Sequence, residues 1–193
     1  MPLQMRTLWI GGRFSGLLVL GESHYGEPDD LDVTRQVIEE ATDLRSSHAF
    51  LTKIEKVVTG EAARGRGPES FWQTSAFANF CPGAVDGPRI RPTREMWTEG
   101  YRLLPGLLTA VKPKRILVLG NSTWNNVGPL TNTIYISTAG AKREAGRLGP
   151  DAGPDGEGVP ITSIRHPSSW GFNTMRWHAY YKDFVAAIPP VTD

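Results

Sequence analysis

The sequence has little cysteine and almost no net charge. Cys81 is the single cysteine among 193 residues, so no disulfide can form within the chain. The four histidines have no recognised metal-ligand spacing, and we expect neither a metal nor another cofactor. With 21 Lys and Arg against 20 Asp and Glu, the formal charge of +1 excludes a uniformly basic protein of the histone type. A local basic face is compatible with that balance.

Long apolar runs are also missing. No run approaches the roughly 20 residues that a membrane-spanning helix needs. The first six residues, MPLQMR, lack the apolar core of a signal peptide. We therefore expect a cytoplasmic protein that does not enter a membrane. The length predicts one domain over residues 1–193, without internal repeats, and we expect a monomer.

Strands and helices alternate along the chain. Short apolar runs predict buried strands at 17–20, 76–80, 116–120, 134–136 and 161–164. Helices are predicted after the caps Asp29 and Asp30, from Phe50, after the cap Thr93 with a kink or break at Pro105, over 121–127, and after the cap Asn173. The segment 139–159 is rich in glycine, proline and charge, which predicts a surface loop. The alternation indicates a parallel sheet with helices on both faces.

Three of the predicted strand ends carry polar sequence. They are Gly21-Glu22-Ser23-His24-Tyr25-Gly26, Asn79-Phe80-Cys81-Pro82 and His166-Pro167-Ser168. Ligands of open α/β sheets bind at the carboxyl ends of the strands, so these segments are expected to meet. The first contains Gly-x-Ser, but a nucleophile elbow requires glycine where Tyr25 stands. A serine hydrolase is therefore disfavoured, and no other hydrolase motif is intact.

In order and spacing, these segments resemble the motifs of the uracil-DNA glycosylase superfamily. Leu17–Gly26 occupies the place of the first motif, and Phe77–Pro82 resembles the strand with the base-reading asparagine. Residues 112–120 resemble a framework signature, and His166–Trp170 resembles the His-Pro-Ser motif with the wedge that follows it. The resemblance implies a three-layer α/β/α sandwich around a central, mostly parallel four-stranded sheet. It also implies a monofunctional, metal-free DNA glycosylase whose partner is DNA with a damaged or deaminated base.

The resemblance assigns roles in the base pocket. His166 would donate a hydrogen bond to the base oxygen that gains negative charge. Asn79 would read the O4 and N3–H edge of uracil, since its amide both donates and accepts. Phe50 would stack on the base, with Trp72 as the alternative. Gly21 belongs to the pocket wall, and Tyr25 matches an aromatic residue that excludes the methyl group of thymine.

The resemblance also assigns contacts to the DNA strand. Ser168 and Ser169 would hold a phosphate through hydroxyl and backbone N–H groups. Trp170 would fill the gap that the flipped nucleotide leaves, the alternative being an aromatic residue of the core. A group of cations in predicted loops would contact phosphates collectively: Arg64, Arg66, Arg89, Arg91, Lys142, Arg143 and Arg147.

The first motif departs from the family pattern. Ser23 stands where the family commonly has a water-activating Asp or Asn, and Glu22 is the nearest carboxylate. His24 replaces the usual proline and adds a titratable group. An iron–sulfur branch uses four cysteines, so Cys81 alone implies no cluster. A relative that binds nucleic acid or a nucleobase without cleaving it therefore stays open as the alternative function.

Overall fold

A computed structural model describes residues 7–26, 32–42, 48–61, 70–87, 90–128, 130–138, 140–149 and 158–190. The strands are β1 Trp9–Ile10, β2 Leu17–Gly21, β3 His24–Tyr25, β4 Ser75–Asn79, β5 Ala84–Val85, β6 Arg115–Leu119, β7 Leu130–Thr138, β8 Ala141–Leu148 and β9 Val159–Ile164. The helices are α1 Val33–Thr42, α2 Ala49–Thr59, α3 Phe71–Thr74, α4 Arg94–Val111, α5 Asn121–Trp124 and α6 Thr174–Ala187. The predicted caps Asp29 and Asp30 lie outside the described residues.

The predicted α/β class is confirmed, but the sheet is larger than predicted. Among the described residues the main sheet has seven strands in the order β1-β4-β2-β6-β9-β8-β7. The strands β4, β2, β6 and β9 run parallel to one another, whereas β1, β8 and β7 are antiparallel to their neighbours. The four-stranded sheet is therefore not confirmed, because these antiparallel strands extend it at both edges. A separate parallel pair joins β3 to β5.

The strand β8 corrects the predicted loop over 139–159. Strand β8 pairs with β7, and its residues 145–148 also pair with β9. Its buried positions are mostly small residues such as Ala141, Ala145 and Gly146. A strand between two partners satisfies its backbone groups through both ladders. It therefore forms here without the apolar bulk by which strands are recognised in a sequence.

Two apolar clusters cover the two faces of the sheet. Val19, Phe77 and Leu117 belong to one cluster, which includes residues of α1, α2, α3 and α6. Leu18 and Ile116 belong to the other, which includes residues of α4. Neighbouring residues of a strand point to opposite faces, so this division places helices on both sides of the sheet, as predicted. None of the described helices has the length and apolar character needed to cross a membrane.

The helix caps at Thr93 and Asn173 are confirmed. The side-chain oxygen of Thr93 accepts a hydrogen bond from Met96 N at 3.3 Å, and Asn173 Oδ1 accepts one from Arg176 N at 2.9 Å. A break of α4 at Pro105 is wrong, since the helix continues through it. Tyr101, whose carbonyl loses its helical donor at Pro105, is exposed, so water can replace that hydrogen bond.

Replacing Glu55 with glutamine is expected to stabilise the protein above neutral pH. Glu55 lies in α2 with 7% of its surface exposed, and burial raises its pKa from 4.5 to about 7. The folded state keeps this proton between pH 4.5 and 7 whereas the unfolded chain releases it, so stability falls as the pH rises through that window. We expect Glu55→Gln to raise the free energy of unfolding by about 2 kcal/mol above this window.

Urea denaturation at the two ends of this window measures the effect. The gain should be largest at pH 8 and nearly absent at pH 4.5, where the glutamate is protonated in the folded state. Glu61→Gln serves as the control, because Glu61 is exposed just after α2 and has no burial penalty to lose. An equal gain for Glu55→Gln at both pH values would contradict the prediction.

Candidate active site

A cavity opens at the carboxyl edge of the four parallel strands. The chain leaves β2 for β4 on one side and then crosses to β6 on the other, which makes a topological switch point beside β2. Ligands of open α/β sheets bind at such points. The cavity has a volume of about 700 Å³. Its wall contains all of the predicted site residues except Trp170: Gly21, Glu22, Ser23, Tyr25, Phe50, Asn79, His166, Ser168 and Ser169.

Backbone hydrogen bonds continue to join β2 and β4 past the last residues of the two strands. Gly21 and Asn79 are register partners in the parallel ladder. The ladder continues into the loops, where Phe80 N donates to Gly21 O at 2.9 Å and Cys81 N donates to Glu22 O at 2.8 Å. The backbone on both sides of the cavity floor is therefore held by hydrogen bonds.

His166 is held as a neutral side chain with one defined tautomer. The Ser168 backbone N–H donates to His166 Nδ1 at 3.3 Å, which makes Nδ1 the acceptor and assigns the ring proton to Nε2. Burial lowers the pKa of His166, so the ring is uncharged at neutral pH. A neutral imidazole with a donating Nε2–H thus lines the cavity.

Two residues that sequence reasoning missed place the loop of His166. Lys53 of α2 donates to the carbonyl oxygen of Pro167 at 2.9 Å. Gly120 adopts φ 92 and ψ 158, a conformation open essentially to glycine, and its N–H donates to Ile164 O at 2.8 Å. A Cβ atom at Gly120 would lie 3.4 Å from His166 Cβ, so the ring packs directly over this glycine. The only sequence signal was a glycine directly after a strand.

Of the two predicted stacking candidates, Phe50 lines the cavity and Trp72 does not. The ring centroids of Phe50 and His166 are 5.4 Å apart with the planes inclined by 32°. Phe77 meets the Phe50 ring edge-on at 6.5 Å. Trp72 is buried in the core against Phe77 and is not part of the cavity wall.

Asn79 is oriented by a buried polar cluster. The side chain is 4% exposed, and its Nδ2 donates to His24 Nδ1 at 3.2 Å. Thr34 of α1 contacts the same ring nitrogen through Oγ1 at 2.8 Å. Among the described residues, Asn79 Oδ1 has no hydrogen-bond partner. The amide therefore retains an acceptor and one N–H for a ligand, and His24 is its positioning residue, a role the sequence did not indicate.

Glu22 lies where this cavity meets a second one and lines both. Its Oε1 is buried and has no hydrogen-bond partner among the described residues. Burial raises the pKa of Glu22, while the charge of Arg91 and a hydrogen bond from Ser122 partly oppose that rise. The result is a carboxylate with a free oxygen and increased basicity.

Ser23 and Cys81 lie near Glu22 but differ in their access to the cavity. Ser23 is half-buried in the cavity wall, and its hydroxyl has no partner among the described residues. Cys81 is buried in the core, where burial and the charge of Glu22 raise the pKa of its thiol to about 12. The thiol is protonated at neutral pH and is not part of the cavity wall, so it is no nucleophile here.

The remaining predicted residues lie at the rim of the cavity. Tyr25 is 53% exposed on β3, Ser168 is exposed, and Ser169 N donates to His166 O at 2.9 Å. Trp170 is 93% exposed, so the alternative that it belongs to the core is wrong. It follows Ser169 directly and therefore projects from the loop that carries His166.

The predicted group of cations divides into three parts. Arg91 lines the cavity, while Lys142 and Arg143 line the second cavity beside it. Arg147 instead donates to the backbone oxygens of Gly158 and Pro189, so it serves the fold. The others lie outside the described residues: Arg64, Arg66 and Arg89.

Comparison with known proteins assigns no role to the residues of this site. No protein-family model matches the chain, and no curated protein matches it in sequence. The contacts and charges of the cavity residues therefore indicate their roles.

Proposed function

We propose that the protein is a monofunctional DNA glycosylase, which hydrolyses the N-glycosidic bond of uracil or of another deaminated base. The observation that carries this proposal is the meeting of three groups in one cavity: the Asn79 amide, the neutral His166 imidazole and the Phe50 ring. Together they provide edge recognition, a donor for developing charge and a stacking surface.

The cavity suits a planar base that has been removed from the helix. A glycosylase flips its target nucleotide into a pocket because the reacting bond is inaccessible in the stack. The free Oδ1 and N–H of Asn79 match the N3–H donor and O4 acceptor of uracil. Stacking on Phe50 would contribute about 1–3 kcal/mol.

His166 acts on the departing base. When the bond between C1′ and the base nitrogen breaks, its electron pair moves onto the base, and a pyrimidine carries much of the charge on O2. The Nε2–H of His166 donates a hydrogen bond to that oxygen. A preorganised donor in a site shielded from water is the arrangement that stabilises developing negative charge most strongly.

Glu22 acts on the sugar side of the reaction. A water molecule forms the new bond to C1′ and gives up a proton to the carboxylate of Glu22, which lines the cavity. Ser23 adds a hydroxyl that can orient the same water. The base anion takes a proton from solvent as it leaves, and Glu22 returns the proton of the attacking water to solvent. One water molecule is consumed in total, and the products are an abasic site and a free base.

A set of oligonucleotides, each with one altered base, tests the proposal. Uracil, hypoxanthine and xanthine are placed in single-stranded and double-stranded DNA, and abasic sites are detected by alkaline cleavage. We expect cleavage at one or more of these bases. Binding of a base or of DNA with no abasic product would favour the non-cleaving relative, and the absence of any product from the whole set would overturn the enzymatic proposal.

Gly21→Ala is expected to impair excision without touching a reacting group. A Cβ atom at this position would lie 2.3 Å from Asn79 Oδ1 and 3.1 Å from the Phe77 ring, so the amide must move. A shift of about 1 Å in a positioning group can reduce the rate by about 10²-fold. Single-turnover excision should therefore fall about as far as in Asn79→Ala.

Gly106→Ala is the matched control for this prediction. A Cβ atom at Gly106 of α4 meets nothing within 4 Å, so excision should be unchanged. Wild-type excision by Gly21→Ala would show that the position of the Asn79 amide is unimportant.

A further inference from the structure

A second cavity, of about 640 Å³, adjoins the first at the same edge of the sheet. Glu22, Ser122 and His166 belong to the walls of both. The turn between β7 and β8, the loop after β9 and the beginning of α6 complete its wall. We call this second cavity the basic cleft.

Four cations line the basic cleft: Lys142, Arg143, Arg165 and Arg176. Glu22 is the only acidic residue among the described residues of its wall. In the described part of the chain, none of the four cations forms a salt bridge with a carboxylate. Three separate elements therefore bring like charges together without balancing them.

Three of these side chains contact aromatic rings or a glycine instead of carboxylates. The guanidinium of Arg143 lies over the Trp177 ring at 5.2 Å, and the Lys142 ammonium lies over the Tyr135 ring at 5.3 Å. Arg176 packs against Gly140, where an added Cβ would lie 3.5 Å from its Nη2 atom. Such contacts order a cation without neutralising its charge. The Arg143 guanidinium also donates one long hydrogen bond, from Nη1 to Lys142 O at 3.5 Å.

Arg143 is the most constrained member of the cluster. It is half-buried, and its Nε is buried with no hydrogen-bond partner among the described residues. Burial lowers the pKa of Arg143, Tyr180 opposes that change, and the neighbouring charges of Arg165 and Arg176 add to it. Such a cluster is stabilised when an anion binds to it.

We propose that the basic cleft binds phosphate, and that it holds the phosphate of a nucleotide whose base occupies the adjacent cavity. Guanidinium groups match the oxygens of an oxyanion with paired donors, which favours phosphate over a simple halide. Four clustered cations favour the higher charge of phosphate over that of a single carboxylate. The shared wall at His166 and Glu22 places the cleft directly beside the base site. That a base occupies the adjacent cavity rests on the proposed function, whereas binding of phosphate to the cleft does not.

Inorganic pyrophosphate tests the cleft itself. We expect calorimetric titration of the full chain at low salt to detect binding that weakens at least about 10-fold in Arg143→Gln and in Arg176→Gln. Arg102→Gln is the charge-matched control, because Arg102 pairs with Glu99 on α4, and it should bind as the wild type does. Arg176 is exposed, so its variant is expected to fold even if Arg143→Gln does not.

Equal affinity in Arg176→Gln and Arg102→Gln, or no binding by the wild type, would overturn the proposal. This result is independent of base excision, since no glycosidic bond is present. An inactive protein that binds pyrophosphate through Arg143 and Arg176 would therefore refute the glycosylase and support the cleft.

Two further binding experiments distinguish the source of the phosphate. If it belongs to a DNA strand, neutral methylphosphonate linkages beside the target base should weaken binding to the wild type and have much less effect on Arg176→Gln. The slope of log affinity against log salt should also become shallower by about 1 in that variant. If it belongs to a free nucleotide, deoxyuridine monophosphate should compete with pyrophosphate while the neutral linkages have no effect. If the neutral linkages have no effect and deoxyuridine monophosphate does not compete, the assignment to a nucleotide is overturned.

Discussion

His166→Ala will slow base excision by about 10²–10³-fold under single-turnover conditions, the effect typical of losing one preorganised donor to a developing anion. The substitution removes the Nε2–H donor. The ring proton lies on Nε2 because the Ser168 N–H donates to Nδ1. In the proposed reaction, the hydrogen bond from Nε2–H to the base strengthens as charge builds on the base. The dissociation constant for uracil-containing DNA should therefore change much less than the rate. Fluorescence anisotropy and rapid-quench kinetics measure the two quantities separately.

His166→Gln is the informative companion. Its side-chain amide retains an N–H donor, so it should recover part of the lost rate. Recovery distinguishes a hydrogen-bonding role from a purely structural one, in which the ring only packs over Gly120 and against Phe50. Equal losses in rate and in DNA affinity for both variants would contradict the proposed role.

The second large effect is expected for Glu22→Gln, which should reduce excision by about 10²–10⁴-fold as a general base is removed. Burial raises the pKa of Glu22, and only the ionised form accepts a proton from water. Wild-type excision should therefore fall as the pH drops through this raised pKa. Glu22→Gln should lack that decline, leaving a slower and flatter profile.

The variant separates catalysis from stability. Replacing a half-buried carboxylate with an amide of the same shape removes its desolvation penalty, so Glu22→Gln should unfold at the same or a higher temperature at pH 8. Thermal unfolding beside the pH–rate profile tests both points. An unchanged acid limb in Glu22→Gln would assign the decline to another group, such as His166, and would remove Glu22 from the reaction.

The convergence of the cavity residues was predictable because parallel strands end at one edge. Asn79, His166 and the segment after Gly21 each follow a short apolar run, and parallel pairing brings such ends together whatever their separation in the chain. The choice between Phe50 and Trp72 was not predictable, since both are aromatic residues between the same two strands. Only the packing of the helices decides which ring lies in the core.

Other features required contacts that no local pattern records. His24 was noticed only as a departure, because its partners Asn79 and Thr34 come from β4 and α1. Lys53 is an ordinary cation on an amphipathic helix until Pro167 is placed beside it. The basic cleft was hidden for a different reason: Arg143 lies in a strand whose charges suggested a loop, and Arg165 and Arg176 belong to two other elements.

The hydrogen bonds that join the loops after β2 and β4 have a consequence for selectivity. Because Phe80 and Cys81 continue the ladder past the strand ends, the carbonyls of Gly21 and Glu22 are tied to the segment that follows Asn79. The backbone at Asn79 and the backbone at Glu22 are therefore expected to move together as one unit. In the proposed reaction, a base that does not fit between these two loops cannot be admitted by movement of one loop alone, so size would contribute to selection alongside hydrogen bonding.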